Sequence, residues 1–372
     1  MIPFAKPTMV GKELKYIEEA IKLNKISGDG IFTKKCHQFF EERYGFKKVF
    51  LTTSCTDALE MAAILCNIQC DDEVIIPSYT FVSTANAFII RGAKIVFADS
   101  RSDTPHLDAS LIEGLITKKT KAIVPVHYAG TACEMDKINE IAKMHNLFVI
   151  EDAAQAIDSY FKGEPLGGLG TFGAFSFHET KNITCGEGGL VCINNSDFIQ
   201  RAEIVREKGT NRTAFFRGEV DKYGWVDIGS SFLPSDILSA FLYGQLEQID
   251  RIQNYRKNLW NRYHNNLFDL EKRGRIRRQI IPKDSTNNAH MYYFLCSSIR
   301  DRTFIINHLK KKNIFCSFHY LPLHKSNFYK KRHDGRALPN SDRFADTLLR
   351  LPLYNDLKIH EVDSICEVLY NI

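Results

Sequence analysis

No apolar run in this sequence reaches the ~18 residues that a membrane-crossing helix needs, so no spanning segment is expected. The opening stretch, MIPFAKPTMVGKEL, has no basic region followed by an apolar core, so no export signal is expected either. Ten cysteines occur without a CxxC pair. Cys66 and Cys70 are the nearest two, and no His/Cys cluster accompanies them. That pattern speaks for reduced thiols in a cytoplasm and against a zinc site or a disulfide framework. Neither sign of charge dominates: 49 Lys and Arg stand against 44 Asp and Glu, a net +5. So small a surplus suits an anionic small substrate and gives no reason to expect nucleic acid. The glycine fingerprints of Rossmann and P-loop sites are missing. No internal repeat or low-complexity tract is found.

What remains is a globular composition, 44% hydrophobic and 25% charged over 372 residues, long enough for two domains. Short Val/Ile-rich runs alternate with helical patterns. Strands are expected at Val49–Thr52, Glu73–Ile76, Lys94–Ala98, Ala122–Val126, Leu147–Glu151, Phe175–Phe177 and Leu190–Ile193, with helices such as Asp57–Cys66 and Met135–Met144 between them. Near-continuous apolar strands separated by helices predict an α/β fold with a mostly parallel sheet. From Pro234 the pattern changes. Ser235-Asp236 can cap a long helix running to about Leu267. Shorter segments follow: Met291–Ser297, the helix Arg302–Lys312, Ile314–Phe318, and helices near Asp342–Leu351 and Glu361–Tyr370. Residues 1–240, with an N-terminal arm, read as a large domain, and 241–372 as a smaller C-terminal α+β domain.

Ligands in such sheets sit at the carboxyl ends of the strands, and the chemistry-bearing residues fall there. Thr52-Thr-Ser-Cys-Thr-Asp opens a helix; its free backbone N–H groups suit one phosphate, or Ser54 is simply a helix cap. Phe81, at a strand-to-helix turn, can stack on a planar heterocycle or belong to the core. The apolar run before Asp152 delivers a carboxylate that would keep a pyridine nitrogen protonated, and Gln155 can reach the ring's phenolic oxygen. Lys181, in AFSFHETKNITCGEGG, is a candidate Schiff-base lysine if the site desolvates it, and a solvated surface charge if not. The order of phosphate cup, stacking aromatic, aspartate, Ser176 hydroxyl and lysine is that of an aspartate-aminotransferase-like, fold type I pyridoxal phosphate (PLP) enzyme.

Over essentially its whole length the chain resembles the DegT–StrS family of nucleotide-sugar aminotransferases. The likeness rests on LTTSCTDALEMAA, PSYTFVSTANAF, VPVHYAGTACEMD, EDAAQA, FSFHETKN, EKGTNR and HYLPLH. FSFHETKN points to the members that act on carbon 4 of TDP-4-oxo-6-deoxy-D-glucose. The resemblance implies that PLP is the cofactor. It makes Lys181 the Schiff-base residue, Asp152 the partner of the pyridinium, Gln155 that of the phenolic oxygen and Phe81 the stacking ring. Cys55, Thr56 and Ser176 would hold the phosphate. It implies transfer of an amino group from L-glutamate to give TDP-4-amino-4,6-dideoxy-D-galactose, as in lipopolysaccharide or enterobacterial common antigen synthesis. It also implies a homodimer with shared sites. Ser231 stands where many members have an asparagine that reaches the partner's phosphate. Lys208, Arg212, Arg217 and Lys222 form a basic loop, with Arg212 first choice for the diphosphate. Tyr320 and His324 are candidates for the sugar, or structural. A sugar 3-aminotransferase, a 3-dehydratase and a non-catalytic protein of the same fold are the competing readings. Intact Lys181 argues against the dehydratase, which has histidine there, and Lys181 with Asp152 argues against a non-catalytic protein.

Overall fold

The computed structural model describes residues 1–372. Its strands are β1 (Lys48–Thr52), β2 (Glu73–Pro77), β3 (Lys94–Ala98), β4 (Thr120–Ile123), β5 (Phe148–Asp152), β6 (Tyr160–Phe161), β7 (Glu164–Pro165), β8 (Phe172–Ser176), β9 (Gly189–Ile193), β10 (Arg277–Arg278), β11 (Tyr292–Leu295) and β12 (Leu348–Leu351). Seven of them form one sheet in the order β1-β9-β8-β5-β4-β2-β3. Pairing is parallel from β8 through β5, β4 and β2 to β3. Only β9 runs against its neighbours. Apolar side chains cover both faces of the sheet, which is why its strands read as near-continuous hydrophobic runs.

The C-terminal part is built on the antiparallel sheet β10-β11-β12 and has its own core, with Tyr263, Tyr292, Phe294 and Leu349 at its centre. The helix Ile249–Asn266 contributes Ile249 and Ile252 to the large core, and Leu259 and Tyr263 to the small one. A further cluster joins Tyr79 and Tyr128, from the ends of the large sheet, to Met291, Tyr293 and Phe344. No helix is long and apolar enough to cross a membrane.

Several expected elements differ. The single long helix from Ser235 is two helices, Asp236–Leu246 and Ile249–Asn266. Ser235 does cap the first, accepting the Leu238 N–H at 3.3 Å. At the junction Glu247 accepts the Tyr16 hydroxyl at 2.8 Å and pairs with Lys12, and Gln248 leaves helical geometry at φ −110°. Neither residue is a helix breaker, so nothing local marks the joint. The expected helix Asp342–Leu351 is a helix, Pro339–Thr347, followed by β12. Leu351 precedes Pro352, which disfavours helix, and Leu348 pairs with Leu295. The strand expected at 122–126 lies at Thr120–Ile123. Ile314–Phe318 makes isolated bridges, Ile314 to Ile2 and Ser317 to Arg350, and forms no strand.

Candidate active site

Strand register gathers the polar groups at one end of the sheet. Gly189, the first residue of β9, pairs with Thr52 of β1 and Ser176 of β8. A Cβ on Gly189 would overlap the Ser54 carbonyl and the Cys55 nitrogen. Glycine here lets β9 close directly under the turn that opens the helix Cys55–Leu65. Ser54 is the N-cap: its Oγ accepts the Asp57 N–H at 3.0 Å. The capping alternative therefore holds for Ser54. The cap leaves Cys55 and Thr56 on the first turn, where backbone N–H groups precede any intrahelical acceptor. Ser176 is buried on the adjoining strand. Thr56 Oγ1 donates to Ser83 Oγ at 2.8 Å, which ties this turn to the next one.

That next turn carries Phe81. It is 53% exposed, so the core alternative falls, and its ring faces Tyr320 at 5.8 Å between centroids. Asp152 ends β5 and is buried. Its Oδ2 accepts Thr84 Oγ1 at 2.7 Å, and its Oδ1 accepts the Ala154 N–H at 3.2 Å. The preceding residue faces the other way, as strand alternation requires. Glu151 binds His127 Nε2 at 2.8 Å and accepts the N–H groups of Gly167, Leu169 and Gly170. It thereby anchors the strand end that aims Asp152. Gln155 accepts the Ala129 N–H on Oε1 at 2.6 Å, which fixes its amide, and donates Nε2 to Tyr320 Oη at 3.1 Å.

Lys181 lies in the turn after β8, half-buried beside Cys55 and Asp152. Burial holds it below the usual lysine value, against the opposing pull of Cys55 and Asp152. The solvated-surface alternative is therefore not what the structure supports. Burial and the nearby Asp152 push the Cys55 thiol well up, so it stays a neutral neighbour. Behind Lys181, Asn182 Oδ1 accepts from His290 Nδ1 at 2.9 Å, while its Nδ2 donates to Gln253 and the Asn288 carbonyl. His290 is held well below the usual histidine value by burial, then by Lys181.

The remaining candidates divide. Tyr320 joins the site through Phe81 and Gln155. His324 does not: its Nδ1 meets Ser78 Oγ at 2.7 Å, its Nε2 faces Asp342, and its ring packs by Phe97 and His333. A structural part fits that position. Arg212 and Ser231 share an exposed groove with Lys34, Lys48 and Arg206, separate from the cleft at Lys181. Arg212 pairs with Glu207 at 3.0 Å, and the expected loop includes a short helix, Arg212–Phe216. Sequence reading missed Thr84, although it follows Phe81 by three residues and so falls on the same helix side. It also missed Tyr79 and Tyr128, which both donate to the His319 carbonyl, Tyr128 at 2.7 Å.

The buried carboxylate, the exposed aromatic face, the desolvated lysine and the helix opening fit PLP in their chemistry. Fold and site together define a PLP-dependent aminotransferase of fold type I. Residues 7–370 match the DegT/DnrJ/EryC1/StrS aminotransferase family. GDP-perosamine synthase of Escherichia coli O157:H7 is 32% identical over 98% of this chain and 97% of its own. The MJ1066 protein of Methanocaldococcus jannaschii is 33% identical over 100% and 97%. Among solved structures, Spr1654 of Streptococcus pneumoniae in its PLP form superposes with a TM-score of 0.90 at 26% identity, covering 100% of this chain and 98% of that one. The aminotransferase TlmJ from Streptoalloteichus hindustanus gives 0.92 at 26%, with the same coverage. The chain belongs to the DegT/DnrJ/EryC1/StrS aminotransferase family.

Proposed function

We propose that this enzyme moves an amino group from L-glutamate to the 4-keto carbon of TDP-4-oxo-6-deoxy-D-glucose, giving TDP-4-amino-4,6-dideoxy-D-galactose. The observation that carries an amino transfer is the convergence of Lys181 and Asp152 at the ends of adjacent strands. The finer substrate assignment rests on the FSFHETKN likeness. Kinship to a protein named for a GDP-linked product supports the nucleotide-sugar part of the reading and not the choice of TDP. A cytoplasmic site of action, for surface-glycan precursors, goes with that reading.

PLP supplies an aldehyde that carries the amino group and a ring that takes up electrons from the substrate carbon. The protein's part is to hold and to move protons. Asp152, ionised and braced by Thr84, would keep the ring nitrogen protonated. Gln155 would donate to the phenolic oxygen with the N–H now given to Tyr320. Phe81 would cover one ring face. Cys55, Thr56 and Ser176 would bind the phosphate. Lys181 Nζ would take the proton from the donor's α-carbon and return it on the far side of the transferred nitrogen, and would do the reverse for the sugar. Desolvation makes its neutral form accessible, so both directions cost little. In a two-fold homodimer, Ser231 and Arg212 would reach the partner's cofactor and diphosphate. Tyr320 would border the sugar.

Incubation with TDP-4-oxo-6-deoxy-D-glucose and L-glutamate, followed by NMR of the product, tests the assignment. An amine on carbon 4 with galacto configuration is expected. An amine on carbon 3 would move the enzyme to the 3-aminotransferases. Because a relative is named for a GDP-linked product, the corresponding GDP ketosugar belongs in the same assay. A higher kcat/KM for it would overturn the TDP assignment.

A further inference from the structure

The C-terminal domain has a cavity that its own side chains do not fill. Leu270, Ile276, Phe294, Ile305 and Leu369 line a space of about 290 Å³. It lies between the helices Phe268–Lys272, Ile299–Lys311 and Ile359–Tyr370 and the strand β11. It shares no residue with the cleft at Lys181. All five lining residues are nine-tenths or more buried. Protein interiors are close-packed, and voids larger than a water molecule are few. An empty apolar space destabilises a fold in proportion to its volume, because its walls lose contacts. Water does not restore them, since none of the lining residues has a buried polar atom lacking a partner. The volume lies at the lower edge of small-ligand sites, which start at about 300 Å³. An apolar group of modest size therefore fits the space better than solvent does.

The mouth says what that group ends in. Arg273 and Arg275 are exposed and border the cavity. Gly274 between them turns the chain at φ +70°. Neither arginine pairs with an Asp or Glu side chain. Arg273 borders the Tyr370 ring, 5.8 Å from Cζ to the centroid, and Arg275 donates Nη2 to the Ile372 backbone oxygen at 3.3 Å. Most of two guanidinium forks thus stays free for an anion. The one acid on the lining, Asp301, is turned to Ser297, whose N–H and Oγ donate to it at 3.1 and 3.0 Å. A cationic mouth over an apolar floor complements an anionic head on an apolar tail.

We propose that this cavity is a binding site for a small amphiphile, a short alkyl chain or single ring that ends in a carboxylate or a phosphate.

The test titrates the full-length holoenzyme with octanoate, octyl phosphate and octanol by calorimetry. The first two carry the two heads on one tail, and octanol carries the tail without a charge. Saturable binding at one site per chain is expected, with both anions tighter than octanol. Arg273→Ala/Arg275→Ala should weaken both anions about tenfold, as loss of partly exposed charged contacts does, and leave octanol within about twofold. Ile305→Phe extends a side chain into the space and should abolish binding of all three, with circular dichroism checking its fold. Tighter binding of octanoate assigns a carboxylate head, and of octyl phosphate a phosphate head; either supports the site. No saturable binding to the wild type overturns it. So does an arginine variant that leaves the anions unchanged or weakens octanol as much as them. Full binding in a folded Ile305→Phe would put the ligand elsewhere and also overturn it. If that variant does not fold, the arginine variant, altered only at exposed positions, decides alone.

Discussion

Thr84 Oγ1 donates to Asp152 Oδ2 across 2.7 Å. Thr84 has one hydroxyl proton, so Thr80, 2.9 Å away, must be the donor in their own contact. The carboxylate is thus fed by a short relay from the turn that carries Phe81. Hydrogen bonds of this kind favour the ionised acid and fix its direction.

Thr84→Val removes that donor and keeps the shape. A bond to a charged group contributes about 1.5–3 kcal/mol, so turnover should fall roughly ten- to a hundredfold. Thr84→Ser should restore it, and Asp152→Asn should be worse than Thr84→Val while leaving the fold intact. The order is checked by steady-state kinetics alongside circular dichroism. Near-wild-type turnover in Asp152→Asn would remove Asp152 from its part.

Gly189→Ala should damage cofactor binding more than folding. The added Cβ meets the Ser54–Cys55 peptide, which is backbone and cannot swing aside. Overpacking of this sort costs about 1–3 kcal/mol. Because the strain falls on the phosphate turn, PLP affinity should drop by at least about tenfold. Equilibrium dialysis measures it. An unchanged Kd would show that the turn does not bear on the phosphate.

Legibility from sequence followed local periodicity. The strand-end positions of Asp152 and Lys181 were readable, because an apolar run that stops at a polar residue fixes where the residue emerges. The Glu247–Gln248 joint was not, since it is set by packing with Tyr16 and Lys12, far away in sequence. Nor was Thr347 readable as the switch to strand, because Leu-Leu-Arg-Leu suits helix as well as β12. Arg350 resembles any surface arginine until β11 and β12 pair and bury it. His324 looked like a site residue because HYLPLH is compact in sequence. In space, Leu321 and Pro322 carry the chain from Tyr320 to the end of β2.

Acid stability should reflect buried neutral histidines. His37 is pushed down to about 3 by burial, then by Arg206 and Lys48, against Asp29. Its folded value lies below the unfolded value of about 6.5. Below the unfolded value the unfolded chain binds a proton that the folded chain refuses. Stability is therefore lost as pH falls from about 6.5 toward 3. Over that window each such histidine adds about 1.4 kcal/mol per pH unit to the slope. His37→Gln keeps an acceptor for the Leu51 N–H, 2.9 Å from Nε2 in the wild type. Its denaturant-derived ΔG between pH 4.5 and 6 should show a slope shallower by about that amount. Parallel slopes would mean that His37 titrates normally.

The last prediction concerns assembly. Arg212 and Ser231 lie in a groove that does not include Lys181. Within one chain they have no route to the cofactor. The same segment holds Phe216 at 70% exposure and Trp225 at 85%, with Tyr223 and Val226 also uncovered. A monomer would leave that apolar surface in water. A two-fold dimer would cover it and carry Arg212 and Ser231 to the other chain's site. Lys181→Ala alone should retain PLP but fall below about one part in a thousand of wild-type turnover, since a positioned acid–base group contributes roughly 10²–10⁴. Arg212→Ala/Ser231→Ala should be weakened through substrate and phosphate contacts. When these two impaired chains exchange subunits, each heterodimer contains one site with Lys181 from one chain and Arg212 with Ser231 from the other. Activity should return toward a quarter of wild type, because random pairing makes about half the dimers mixed and each has one intact site of two. Exchange is verified separately with differently tagged chains. Mixed dimers that form and stay inactive would place each site within a single chain, and the groove at Arg212 would then need another ligand.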